Sequence, residues 1–208
     1  MHNNFLKAVA SCAVIAFLTA CSQAPPAPSA ETKKTEEPKK ASEPVAAQTA
    51  FFEMYKPART WAPDLLVLSL ASNEVPGFRN EDGKAAMWTA VFVSPSRREA
   101  RTFFYAIADQ GTTIHKGVEI GGAQPWTGMT AKSQPFQITE FTVNSDVAYK
   151  TASIKAEAWL KKHPGMPVIM ALGKTSRFPG PVWYIQWGTT KLGYAAYVNA
   201  TTGDFIGK

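Results

Sequence analysis

Cysteine and histidine are scarce in this 208-residue chain, which holds two of the first and three of the second. Cys12 and Cys21 both lie near the start. The rest of the chain has no thiol to cross-link, so the fold must stand on its own core. A metal site needs three or four ligands. His115 sits in Thr113-Ile114-His115-Lys116 with no second histidine near it, and His163 falls at the end of a helical stretch, where a cation complements the helix dipole. No His-x-x-x-His, Cys-x-x-Cys or Asp-rich calcium loop occurs, and neither does a Gly-x-Ser-x-Gly elbow or a phosphate-cradling glycine loop. The carboxylates are spread along the chain, mostly in turns and on helix exteriors. These absences leave no metal, no cofactor and no catalytic residue to name, and the chain is expected not to be an enzyme.

The N-terminus, by contrast, carries an ordered set of signals. One cation, Lys7, precedes an apolar stretch from Ala8 to Leu18, and small residues follow. This is the layout of a secretory signal. The stretch is too short for a membrane-spanning helix, which takes about 20 residues. Leu18-Thr19-Ala20-Cys21 resembles the lipobox at which bacterial lipoproteins are cut and lipidated. The resemblance implies cleavage between Ala20 and Cys21, a signal peptide over 1–20, and acyl chains, palmitate among them, on Cys21. The chain would then meet the membrane through a lipid anchor. Ser22 comes next, where Asp would imply retention at a Gram-negative inner membrane. The resemblance therefore implies a cell-envelope location at the outer membrane, facing the periplasm.

Charge adds little specificity. Lys and Arg number 22 against 16 Asp and Glu, a formal +6, and the cations are scattered. Such a surface tolerates anionic headgroups or acidic polymers, and nucleic acid is not an expected partner for a tethered, exported chain. From Ser22 to about Thr49 the sequence is Ala, Pro, Glu, Lys, Ser and Thr with almost nothing large and apolar. It cannot bury enough surface to offset its ordering entropy. Residues 21–49, beginning with the lipidated cysteine, are expected to form a disordered tether that spaces the body from the bilayer by on the order of 30 Å.

The body reads as α+β. Phe51, Tyr55, Ala58 and Ala62 share one face of a helix that ends before Pro63. Strand-like runs follow over Leu65 to Ala71, Ala86 to Val93 and Arg101 to Ile107. Asp109 to Gly122 reads as a hairpin arm, Gly121 to Lys132 as a loop bearing Trp126, and Gln134 to Val143 as a bulged strand. A second helix over Asp146 to His163 has caps in Asn144, Ser145 and Asp146, and it closes at Pro164-Gly165. Strands are expected at Pro167 to Gly173, Val182 to Thr189 and Leu192 to Val198, with a short tail at Asp204 to Ile206.

The two halves share one order: helix, strand, Pro-Gly loop, strand, turn, strand. Pro76-Gly77 before Trp88 matches Pro179-Gly180 before Trp183. A repeated α-β-β-β unit explains this order, with a first unit over 50–143 and a second over 144–208, each curling an antiparallel sheet around its own helix. The chain's end, Tyr194-Ala195-Ala196-Tyr197-Val198-Asn199-Ala200-Thr201-Thr202-Gly203-Asp204-Phe205-Ile206, resembles the final hairpin of PepSY domains. Gly203 would supply the positive φ of that turn and Asn199 would cap it. The resemblance implies an extracytoplasmic, non-catalytic module that binds proteins or restrains peptidases.

The expected function is that of a lipid-anchored envelope module that recruits or sterically restrains another envelope protein, such as a peptidase. Its candidate loops are Ser72 to Lys84, Lys174 to Pro181 and the segment around Trp126, and Trp126 and Phe178 are the candidate partner-binding anchors. Two rivals are a carrier of a small apolar ligand or lipid in a cavity between helix and sheet, and a hydrolase of uncharacterised type.

Overall fold

The computed structural model describes residues 42–208. The expected signal peptide, its cut at Ala20-Cys21 and most of the tether lie outside the described residues. The last part of the expected tether is ordered. Strand β1 (Val45–Ala46) leads directly into helix α1 (Ala47–Trp61), which begins before Ala50. The helix buries Phe51, Met54 and Ala58 and stops at Ala62, whose amide donates to Ala58 O at 3.0 Å.

Strands β2 (Leu66–Asn73), β3 (Lys84–Ala85), β4 (Met87–Ser94), β5 (Glu99–Ala106) and β6 (Gly117–Pro125) follow. Helix α2 (Ser145–Lys162) opens the second half and leads to β7 (Val168–Gly173), β8 (Val182–Gly188), β9 (Gly193–Asn199) and β10 (Phe205–Gly207). Asp82-Gly83 forms a two-residue hairpin turn. Both residues have positive φ, 50° and 76°, and Glu81 and Lys84 pair across them. The expected bulged strand over Gln134 to Val143 is not one strand. Gln134 and Phe136 make isolated bridges to Lys174 and Val67, and Ile138–Glu140 is a 3-10 turn. The slip in the apolar alternation marks that turn, which lets both Phe136 and Phe141 point inward, at 2% and 5% exposure.

The eight strands other than β1 and β3 join one antiparallel sheet in the order β10-β9-β8-β7-β2-β4-β5-β6. The two halves therefore do not close separate sheets. Their first strands, β2 and β7, meet at the centre through the pairs Ser69–Gly173, Leu70–Leu172 and Ala71–Ala171. From that seam each half runs outward in sequence order. Each half also has four strands in this sheet, since the weak arm before Trp126 and the short tail both pair into it.

Both helices cover the same face of the sheet. Phe51, Met54 and Ala58 of α1 and Ala148, Ala152 and Ala156 of α2 share one core with Trp88, Phe92, Phe103, Met170, Trp183, Ile185 and Trp187. Each large side chain so buried contributes about 1.5–3 kcal/mol. Trp88 and Trp183 lie edge to face at 6.4 Å. Each indole donates to a carbonyl just ahead of a helix: Trp88 Nε1 to Val45 O at 2.9 Å and Trp183 Nε1 to Val143 O at 2.8 Å. The start of α2 also caps α1. Ser145 Oγ accepts from the Ala47 amide at 2.8 Å and donates to Gly83 O, and Asn144 Oδ1 accepts from the Gln48 amide at 3.0 Å.

Among the described residues no helix is long and apolar enough to cross a membrane. The last turn has Gly203 at φ 82°. There Asn199 Oδ1 accepts from the amides of Thr201 and Thr202 at 2.8 and 3.0 Å.

Candidate binding groove on the open sheet face

A strand alternates its side chains between two faces. Here the Trp183, Ile185, Trp187 row lies under the helices at 0–2% exposure, so Tyr184 and Gln186 take the opposite face. The same alternation puts Tyr197 and Ala195 of β9, Ala171 and Ile169 of β7, Ala71 of β2, Thr89 of β4 and Phe104 of β5 on that face. Register aligns Tyr197, Tyr184, Ala171, Ala71, Thr89 and Phe104 in one row across six strands. Small residues hold its middle and aromatic residues its flanks, which makes a low centre between raised walls. Among the described residues no helix covers this face.

A groove of about 350 Å³ opens on it at the β2–β7 seam. Its floor includes Leu68 and Ala171, and its wall is formed by Tyr184, Tyr197 and Phe178. β2 bulges between Val67 and Ser69, and both Leu68 and Ser69 line the groove as a result. Phe178 packs on Tyr197 at 5.4 Å, and Tyr197 on Tyr184 at 5.4 Å. The Arg177 guanidinium lies 5.0 Å from the centres of both the Phe178 and Tyr197 rings. That stacking holds a cation in place at the rim. Tyr184 is pushed above the usual phenol range by burial and, secondarily, by Tyr197. Its hydroxyl donates to Gln186 Oε1 at 2.6 Å.

Two connections build the rim. The Lys174–Pro181 loop carries Arg177 and Phe178. The long connection after β6 returns to the seam and brings Lys132 and Ser133 beside it. The two are stitched together where the Gln134 amide donates to Lys174 O and the Ser176 amide to Ala131 O, both at 2.9 Å. Lys174 Nζ sits 3.2 Å from Glu140 Oε1. Lys132 and Arg177 pair with no carboxylate among the described residues.

The candidate anchors separate. Phe178 is half-buried in the groove wall. Trp126 is also half-buried, but it lies beyond the edge strand β6, with its amide donating to Arg98 O at 2.9 Å and with β2, β4 and β5 between it and the Phe178 loop. The Ser72 to Lys84 loop stands at the opposite end of the strands. There residues 74–80, with Pro167 and Val168, line a second depression of about 480 Å³. Alternation along Val182 to Val198 separates the Tyr184 and Tyr197 row from the Trp183 row, but it does not say which row the helices cover. Arg177 and Lys132 carried no sequence signal, because only the meeting of two distant connections gives them a role.

Among the described residues no group of three or more His, Cys, Asp or Glu could hold a metal ion. His115 Nε2 lies 3.9 Å from Glu119 Oε1 on the surface.

No family profile matches the chain, and no curated protein matches it. It is similar to the crystal structure of a candidate lipoprotein from Clostridium difficile 630, at 12% sequence identity over 80% of this chain and 93% of that one, with a TM-score of 0.45. That likeness is too distant to bear on function.

Proposed function

We propose that this chain is a lipid-anchored, non-catalytic binding module of the bacterial cell envelope, which recruits or restrains another envelope protein through the open face of its sheet. The anchor rests on Leu18-Thr19-Ala20-Cys21, and the outer-membrane location on Ser22. The body is read as two copies of one PepSY-like unit. Support for this comes from the outward strand order on each side of the β2–β7 seam and from the equivalent bonds of Trp88 and Trp183.

The observation that carries the binding role is the uncovered sheet face with its aromatic groove. A face holding Tyr184, Tyr197, Phe178 and Ile169 around small residues is the kind of surface a partner covers. The carrier reading needs an apolar cavity between helix and sheet, and that space is filled by Phe51, Trp88, Phe92, Trp183 and Trp187 at 0–2% exposure.

A photo-reactive phenylalanine analogue at Thr89 or Gln186 on the open face, and at Lys150 or Lys161 on α2, tests the reading in cells. The expected result is a discrete protein adduct from the open-face positions only. Adducts from the helix positions alone would overturn it.

A further inference from the structure

This inference deepens the binding role and rests on it. We infer that the groove at the β2–β7 seam takes an acidic peptide segment of a protein partner, one that places an apolar side chain beside a carboxylate.

The argument is one of shape and charge. Three cations, Lys132, Lys174 and Arg177, stand on the lining. Among the described residues no Asp or Glu lines it, and Glu140, which meets Lys174, offsets only one of the three. The lining thus carries two positive charges, those of Lys132 and Arg177, that no carboxylate among the described residues pairs. Arg177 also lies over two rings, 5.0 Å from each centre. It loses little side-chain freedom on pairing, and its planar fork suits a carboxylate. Next to that cation the groove is apolar, with Leu68, Ala171, Val182 and Phe178 on its surface.

A volume of about 350 Å³ falls at the small end of ligand sites, which run to about 300–1,000 Å³, and it suits a side chain or two. A flat anionic membrane would instead be met by cations spread over a broad face. Here they gather on two connections at one end of the strands. That end is also remote from the chain's entry, because β1 pairs with β3 (Val45–Ala85) at the end bearing the Ser72 to Lys84 loop. Among the described residues, the entering strand β1 therefore does not lie over the groove.

The described body, residues 42–208, lies within one compact unit with its own core, so it serves for the test. A synthetic peptide of alternating Leu and Glu, its Leu–Gln counterpart and phosphatidylglycerol vesicles are titrated separately and followed by amide NMR. The acidic peptide is expected to shift Ala171, Phe178, Tyr184 and Tyr197 and to bind about tenfold or more tightly than the Gln peptide. Added salt should weaken it. Arg177→Glu should abolish the shifts and Lys132→Glu reduce them, while Arg177→Lys keeps part of the binding. Arg177 is exposed, so an unchanged spectrum of the free variant shows that the fold is intact. Equal binding of the two peptides, binding of neither, or vesicles shifting these amides where the peptides do not, would each overturn the acidic-segment assignment. Open-face adducts alongside failed peptides would sink this inference alone. If the adducts also fail, the binding role falls with it.

Discussion

Asp64 shows how much one partly buried side chain can organise. It lies between α1 and β2, and its two carboxylate oxygens accept from Ser94 Oγ at 2.7 Å and from the Ser96 amide at 2.8 Å, clamping the β4–β5 turn. Those bonds, the Ser94 hydroxyl first, hold its pKa down to about 2. A carboxylate depressed in this way stabilises the fold fully above its ordinary value of 3.8, and the stabilisation is lost as pH falls toward about 2. Asp64→Asn should therefore be less stable than the parent at neutral pH, and the gap should close between about pH 4 and pH 2. Urea unfolding across that range measures it, and a gap that stays constant would show that the carboxylate's charge is not what holds the turn.

Among the elements, the junction of the two helices carries the most specific chemistry. Ser145 is fully buried and satisfies both the first amide of α1 and the carbonyl of Gly83. Gly83 leaves no choice of residue: its φ is 76°, and a Cβ there would lie 2.3 Å from Asp146 Cα. Ser145→Ala should cost about 2–4 kcal/mol, because it strands two buried polar groups. A loss under about 0.5 kcal/mol in chemical denaturation would show that the junction does not hold the halves. The elements themselves were legible in the chain because their signals are local. Asn144 and Pro164-Gly165 bracket α2, and alternation around Trp88 and Trp183 marks β4 and β8. The β2–β7 seam was not legible, since nothing in Leu65 to Ala71 says which strand will lie beside it. For the same reason Lys132 could not be matched with Arg177, and Trp126 carried equal weight with Phe178 although only Phe178 lines the groove. The early start of α1 was hidden because its first amides are capped by Asn144 and Ser145, side chains far along the chain.

For the molecule as a whole, one sheet and one core span both halves, and unfolding should be a single event. Tryptophan fluorescence and far-UV circular dichroism are expected to trace coincident denaturation curves. Two separated transitions would show that each half is stable without the other. The seam has a further consequence. A pair of identical chains joined through their first strands would carry the same depression twice, and anything lying across it would read the same from either direction. Here one chain supplies both partners, and the two depressions, each formed where the loop after one half's first strand leans toward the start of the other's, differ in sequence. One contains Glu74, Arg79 and Asn80, and the other Lys132, Lys174 and Arg177. The two ends of the seam therefore differ in chemistry, and a segment lying across both would fit in one direction only.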